Sequence, residues 1–248
     1  MTDGLDRRTV LVTGGTGALG RHVVRSFVEA GSRVHVPVLD PSEIDAVNDL
    51  LGAASDRVKF HPDADLTDPD VVSRVIRASH TSTQQDQGGI RGPDVVLNLA
   101  GGFAMAPVEE TDPSTWSRMM AMNATTAFLT SRAAFPAMKA RGWGRIVNVS
   151  AFPAVRGGAA SMSAYGAAKA AVLNLTQALA REGASHGITA NAILPSIIDT
   201  PGNRSAMPDA DTSTWIPPQE IAAVCVFLAG GRARVVNGAT LTLTLGDG

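Results

Sequence analysis

Thr13-Gly-Gly-Thr-Gly-Ala-Leu-Gly20 is the stretch that decides the fold of this chain. An apolar, β-branched run, Thr9–Thr13, leads into it. A helical pattern from Gly17 to Ala30 leads out, with Leu19, Val23, Phe27 and Val28 on one stripe and Gly31 as its stop. The turn therefore joins a strand to a helix and carries glycines at 14, 17 and 20. Glycine tolerates positive φ and lets a ligand come close to the backbone. The helix start adds free N–H groups and the positive end of the helix dipole, which together suit a pyrophosphate. The spacing is a variant of the dinucleotide fingerprint. Gly14, Thr16, Gly17, Ala18, Leu19 and Gly20 are the expected cofactor cradle.

Outward from the cradle, apolar runs alternate with helical patterns. Strands are expected at Val34–Leu39, Val58–Phe60, Val95–Leu99, Ile146–Val149, Thr189–Leu194 and Thr240–Leu245. Helices are expected at Pro41–Leu51, Asp68–Ala78, Ser114–Lys139, Ala164–Ala184 and Pro218–Ala229. Such β-α alternation gives an α/β fold, a parallel sheet with helices on both faces, and the near-continuous apolar strands fit burial on both sides. No linker, repeat or composition break divides residues 1–248, so a single domain is expected. Ser79–Gly92 reads as a mobile polar surface loop. Asp199–Pro217, with three prolines and little periodicity, reads as a loop that closes over a ligand.

Composition narrows the function classes. The net charge of −2 offers no footprint for nucleic acid or an anionic membrane. No apolar run approaches the ~18 residues of a membrane span. Met1–Arg8 is polar with four charges, unlike a signal peptide, and Cys225 is the one cysteine, so a reducing cytoplasm is expected. The five histidines are scattered and no His/Cys pair has metal-ligand spacing, so no metal is expected.

Tyr165-Gly-Ala-Ala-Lys169 opens a helix and places a phenol and an ammonium one turn apart on one face. An ammonium there favours the phenolate and lowers a pKa that is ~10 when unperturbed. A phenol so tuned gives a proton to a carbonyl oxygen, or takes it back in the reverse direction. Tyr165 is the chain's sole tyrosine.

Taken in order, these motifs resemble the short-chain dehydrogenase/reductase family over nearly the whole length. The resemblance implies a Rossmann-type doubly wound sheet and an NAD(P)-dependent oxidoreductase acting on a small carbonyl or imine-like substrate. It implies that Asp65-Leu66 holds the adenine ring and that Asn98-Leu-Ala-Gly101 stands for the family's Asn-Asn-Ala-Gly segment, so Asn98, Ala100 and Gly101 join the cofactor site. Asn123 then supports a proton-relay water, Tyr165 and Lys169 form the catalytic pair and touch the cofactor, and Pro195, Ile198 and Thr200 meet the nicotinamide. It also implies a homodimer or homotetramer built through Ser114–Lys139 and Ala164–Ala184. Asn148-Val-Ser150 is similar to the wider carbonyl-reductase pattern. Gly14–Gly20, Ala100–Phe103 and above all Leu194–Asp211 look like the dihydropteridine-reductase branch, whose members reduce quinonoid dihydropterin.

Three places depart from the family or leave alternatives. The usual serine lies thirteen residues before the tyrosine, and that position is Phe152. Ser150 is the catalytic candidate, with Ser161, Ser163 or no serine as alternatives. Loss of that hydroxyl motivates a second reading: a dinucleotide-binding protein with a sensor, structural or non-redox role. Pro195-Ser196 replaces Pro-Gly. At the second strand's end, Val38 and Leu39 fill the discriminating positions and Asp40 follows two residues late; with no arginine close by, the expectation leans from NADP towards NAD. Cys225 reads as core, Trp215 as packing or a cover for a flat substrate, and Arg204 as an ordinary surface arginine or a contact for an acidic substrate.

Overall fold

The computed structural model describes residues 4–80, 92–155 and 158–246. Most of the polar stretch Ser79–Gly92 lies outside them. Seven strands form one sheet in the order β3-β2-β1-β4-β5-β6-β7, and every neighbouring pair is parallel. They are β1 Thr9–Thr13, β2 Arg33–Pro37, β3 Val58–His61, β4 Val95–Asn98, β5 Gly144–Val149, β6 Ile188–Pro195 and β7 Thr240–Leu243. The chain winds one way from β1 to β3 and returns beside β1 at β4. The switch point therefore lies between β1 and β4, where a doubly wound sheet opens a crevice at its carboxyl end.

Alternation along each buried strand feeds two cores. Val10 and Val12 of β1, Val34 and Val36 of β2 and Val95 and Leu97 of β4 face one side. There they meet α1 (Gly20–Glu29), α2 (Ile44–Leu51) and α8 (Pro218–Ala229). Leu11, Val96, Ile146 and Ala190 face the other, under α3 (Pro69–Ala78), α5 (Thr126–Arg141) and α6 (Ser163–Gly183). Each fully buried Val, Leu or Phe side chain contributes roughly 1.5–3 kcal/mol. Cys225 sits in the first core with no exposure, and burial pushes its thiol up to about 12, as a packing residue requires.

Several boundaries differ from expectation. α1 begins at Gly20 rather than Gly17, because residues 14–19 are spent on the turn. β2 stops at Pro37, two residues early, and Pro41–Glu43 forms a 3₁₀ turn capped by Asp40 before α2. The expected helix Ser114–Lys139 is three pieces: α4 (Pro113–Met119), a π-helical turn (Met120–Thr125) and α5. Side chains pull this ladder open: Asn123 Nδ2 donates to the Met119 carbonyl at 3.0 Å and Thr126 Oγ1 to the Met122 carbonyl at 2.9 Å. Asp199–Pro217 is not the irregular loop expected. It contains α7 (Pro201–Ala206), its ends are clipped by an Ile198–Ile216 bridge, and Trp215 is 4% exposed. Trp215 is thus a packing residue.

Candidate active site

The cradle forms at the end of β1. Gly14 has φ +64°, and a Cβ there would lie 2.8 Å from the backbone nitrogen of Ala100. A Cβ on Gly20 would overlap the Gly14 carbonyl. Gly17 is the open member, with its nearest neighbour at 3.4 Å. Two glycines thus close the turn, and the third leaves room. The first turn of α1 carries neither a side-chain cap nor an acid, so no carboxylate offsets its positive dipole end. A dinucleotide's pyrophosphate fits this turn.

Thr13, to which sequence reasoning gave no role, locks the cradle to β4. Its hydroxyl accepts from the N–H of Leu99 and of Ala100, both at 3.1 Å. A threonine ending the first strand was the available signal, but its partners are 86 and 87 residues away. Glu43 was also missed; its carboxylate accepts a short hydrogen bond from Thr16 of the cradle. Asp40 is exposed; the Ser42 side chain and the Ser42 N–H, the latter at 3.0 Å, hold its carboxylate and lower its pKa. Asp65 is also exposed at the carboxyl end of the sheet, where Thr67 holds its carboxylate and lowers its pKa, while Leu66 is core.

On the other side of the switch point, Asn123 in the π turn clamps Gly102. Its Nδ2 donates to the Gly102 carbonyl at 3.1 Å and its Oδ1 accepts from Gly102 N–H at 3.3 Å. A Cβ on Gly101 would meet Asn123 Oδ1 at 2.5 Å and Lys169 Nζ at 3.4 Å, so Asn123, Gly101 and Lys169 converge. Lys169 Nζ donates to the Val149 carbonyl at 3.0 Å and lies 5.8 Å from the centroid of the Tyr165 ring. Phe103 packs edge-on against that ring at 5.0 Å. The expected lowering of the phenol pKa is not what this geometry produces. Burial raises the Tyr165 pKa, and burial pushes Lys169 down to about 8. The ammonium's short contact is to a carbonyl rather than to the phenol.

Other expected residues are placed elsewhere. Ser150 is 2% exposed and its hydroxyl donates to the Lys169 carbonyl at 2.8 Å, so it braces α6 and does not present itself to a substrate. Ser161 has φ +61°, and its carbonyl accepts from Ala106 N–H at 2.8 Å; Ser163 opens α6 with an exposed side chain. Asn98, expected in the cofactor site, is engaged within the core. Its amide donates to Asn148 Oδ1 (2.7 Å) and Ser131 Oγ (3.0 Å) and its oxygen accepts from Thr130 (2.6 Å). Asn148 passes the chain on to Thr176 at 2.8 Å. This buried network joins β4 and β5 to α5 and α6. Pro195 ends β6 in the core, the Ile198 carbonyl accepts from Asn203 Nδ2 at 2.8 Å, and Thr200 Oγ1 caps α7 at 3.1 Å. Arg204 makes a two-pronged pair with Asp199 at 2.6 and 2.9 Å.

Residues 8–211 match the profile of the short chain dehydrogenases. The chain belongs to this family. A D-beta-hydroxybutyrate dehydrogenase of Rhizobium meliloti is 29% identical, with 95% of this chain and 96% of the relative covered. A galactitol 2-dehydrogenase of Rhizobium johnstonii is 33% identical, with coverage of 98% and 95%. Among solved structures, a putative gluconate dehydrogenase from Agrobacterium tumefaciens superposes with a TM-score of 0.85 at 28% identity, covering 98% of this chain and 96% of that one. The short chain dehydrogenases are oxidoreductases that use nicotinamide cofactors and act on small molecules. These relatives place the chain in the wider family and give no specific support to the dihydropteridine-reductase branch expected from Leu194–Asp211 or to a pterin substrate. Among the described residues, no helix is long and apolar enough to cross a membrane.

Proposed function

We propose that this short chain dehydrogenase interconverts a secondary alcohol and a ketone on a small polar molecule, such as a hydroxy acid or a polyol. The observation that carries the reading is the convergence of Tyr165, Lys169, Asn123 and Gly101 beside the switch-point crevice. The relatives' printed substrates, hydroxybutyrate and galactitol, support the alcohol class. A nicotinamide dinucleotide would supply or accept the hydride here. Gly14, Thr16, Gly17, Ala18, Leu19 and Gly20 would hold its pyrophosphate side, Asp65 the adenine, and Ala100, Gly101, Pro195, Ile198 and Thr200 its other end.

Tyr165 moves the proton at the substrate oxygen. Its raised pKa keeps the phenol protonated at neutral pH, so it donates to an oxygen that is gaining charge. No described side chain hydrogen-bonds to its hydroxyl. Lys169, one turn on, holds its positive charge 5.8 Å from the centroid of the Tyr165 ring, and Asn123 clamps Gly102 beside Gly101. With Ser150 turned into α6, the substrate oxygen is oriented by the phenol without a second hydroxyl from that position. The segment 199–217 serves as the lid, its α7 moving between pinned ends. NAD is the expected partner: the Glu43 carboxylate on Thr16, with Asp40 beside it, disfavours the extra phosphate of NADP. A homo-oligomer through α4–α5 and α6 is supported by exposed Trp116 and Phe128 on those helices.

The test is reduced-nicotinamide absorbance with NAD and NADP on a panel of hydroxy acids and polyols. Tyr165→Phe is expected to lower kcat/KM by about a thousandfold, some 4 kcal/mol, with cofactor affinity changed less than about threefold. A panel with no turnover favours a sensor role; full turnover by Tyr165→Phe removes the proton role assigned here.

A further inference from the structure

At the opposite end of the sheet a second cavity, about 640 Å³, opens where β5 and β6 begin. Trp143, Arg145, Thr189, Arg234, Val235 and Asn237 line it. Thr189 and Pro195 are six residues apart on β6, so the cavity lies about 20 Å from the upper crevice. Arg145 and Thr189 are register partners on adjacent strands, 3% and 6% exposed. Arg145 Nε and Thr189 Oγ1 are both buried with no hydrogen-bond partner among the described residues. Such atoms are rare in folded proteins, and an absent ion is one standard reason for them.

The charge here is as unbalanced as the hydrogen bonding. Arg145 donates only to carbonyls, those of Gly144 at 2.7 Å and Gly187 at 3.0 Å, and stacks on Trp143 at 4.5 Å. Arg8 lies over the same indole at 3.9 Å. The nearby carboxylate of Asp94 is already paired with Arg8 and Arg141. No described carboxylate pairs with Arg145 or Arg234. Arg145 has its pKa lowered by burial and by the charge of Arg8, with no acid opposing. The far wall is prebuilt: Asn191 holds the Val236 carbonyl at 2.9 Å, and Asn237 bridges Ala180 and Ala190.

We propose that this cavity is a binding site for a phosphate group, free or carried by a small molecule, held by Arg145, Thr189 and Arg234. Donors from three separate segments suit a tetrahedral oxyanion better than a planar carboxylate, which one guanidinium fork satisfies alone. The site is independent of the redox chemistry above.

The test follows the Nε–Hε NMR cross-peak of Arg145, identified by its loss in Arg145→Lys or, should that variant not fold, by its displacement in Thr189→Val. Inorganic phosphate titrated into the full chain at constant ionic strength is expected to move the peak saturably. Acetate and chloride should act at least about tenfold more weakly, and Thr189→Val and Arg234→Ala should each weaken the phosphate response about three- to tenfold. A peak that stays still up to about 50 mM phosphate overturns the proposal, as does equal movement by chloride or acetate, or a response that neither variant changes. Because the readout is local to the lower cavity, phosphate bound in the upper crevice leaves it unmoved, and loss of dehydrogenase activity does not bear on it.

Discussion

The two halves of the sheet build their parts of the crevice from different material. The β1–β3 half offers backbone: a glycine turn closed by overlaps at Gly14 and Gly20, with Thr13 as its clasp. The β4–β6 half offers side chains: Tyr165, Lys169 and Asn123, mounted over the buried Thr130–Asn98–Asn148–Thr176 chain. A backbone site depends on local conformation and tolerates change only where a Cβ fits. A side-chain site depends on elements far apart in sequence holding one another in register. The first half should therefore fail by strain at single glycines, and the second by unpairing buried polar groups.

The largest expected effect lies in the first half. Gly14→Ala combines left-handed backbone with a 2.8 Å approach to Ala100, and should cost about 4 kcal/mol in urea unfolding together with at least about tenfold in cofactor affinity. Wild-type stability in this variant would break the backbone account. Next comes Asn148→Leu in the second half. It leaves Asn98 and Thr176 without their partner and should cost about 3 kcal/mol by the same measurement, with kcat falling as α5 and α6 loosen.

A pH effect follows, and it belongs to the first half. His35 of β2 is 6% exposed, meets His61 at 2.9 Å, and is pushed down to about 3, first by burial and then by the charge of His61. A depressed folded pKa means that the unfolded chain takes up the proton first. The contribution is therefore complete above pH 6.5 and is lost as the pH falls from there towards 3. Stability should drop by about 2 kcal/mol between pH 6.5 and 5, and His35→Asn should flatten that slope. The smallest effect sharpens the second half. Ser150→Ala loses one hydrogen bond to the Lys169 carbonyl, about 1 kcal/mol, and should keep kcat within about threefold. A thousandfold loss would mean that this hydroxyl faces the substrate after all.

Legibility followed the same division. The glycine turn, the strand before it and the helix after it could be read in order, because each rests on a few consecutive residues. The Tyr165–Lys169 spacing was equally plain, since i and i+4 share a helical face whatever surrounds them. The direction of Ser150, the engagement of Asn98 and the pKa of Tyr165 were not legible. Each depends on which neighbours packing supplies, and the family pattern foretold neither the bond from Ser150 to the Lys169 carbonyl nor the network around Asn98. The π turn at Asn123 was hidden for a related reason, because periodicity does not report a side chain bonding back to its own helix.

The sequence alone therefore determined the architecture and the glycine turn: continuous apolar strands, helical stripes and glycine spacing are local properties that survive any surroundings. Tertiary structure alone decided which polar groups remain available for chemistry. Thr13 closes the cradle across 86 residues, Asn98 is consumed within the core, and Arg145 is left buried without an acid. A hydrogen bond or a charge has no fixed meaning until its partners are counted, and only the folded chain brings those partners within reach.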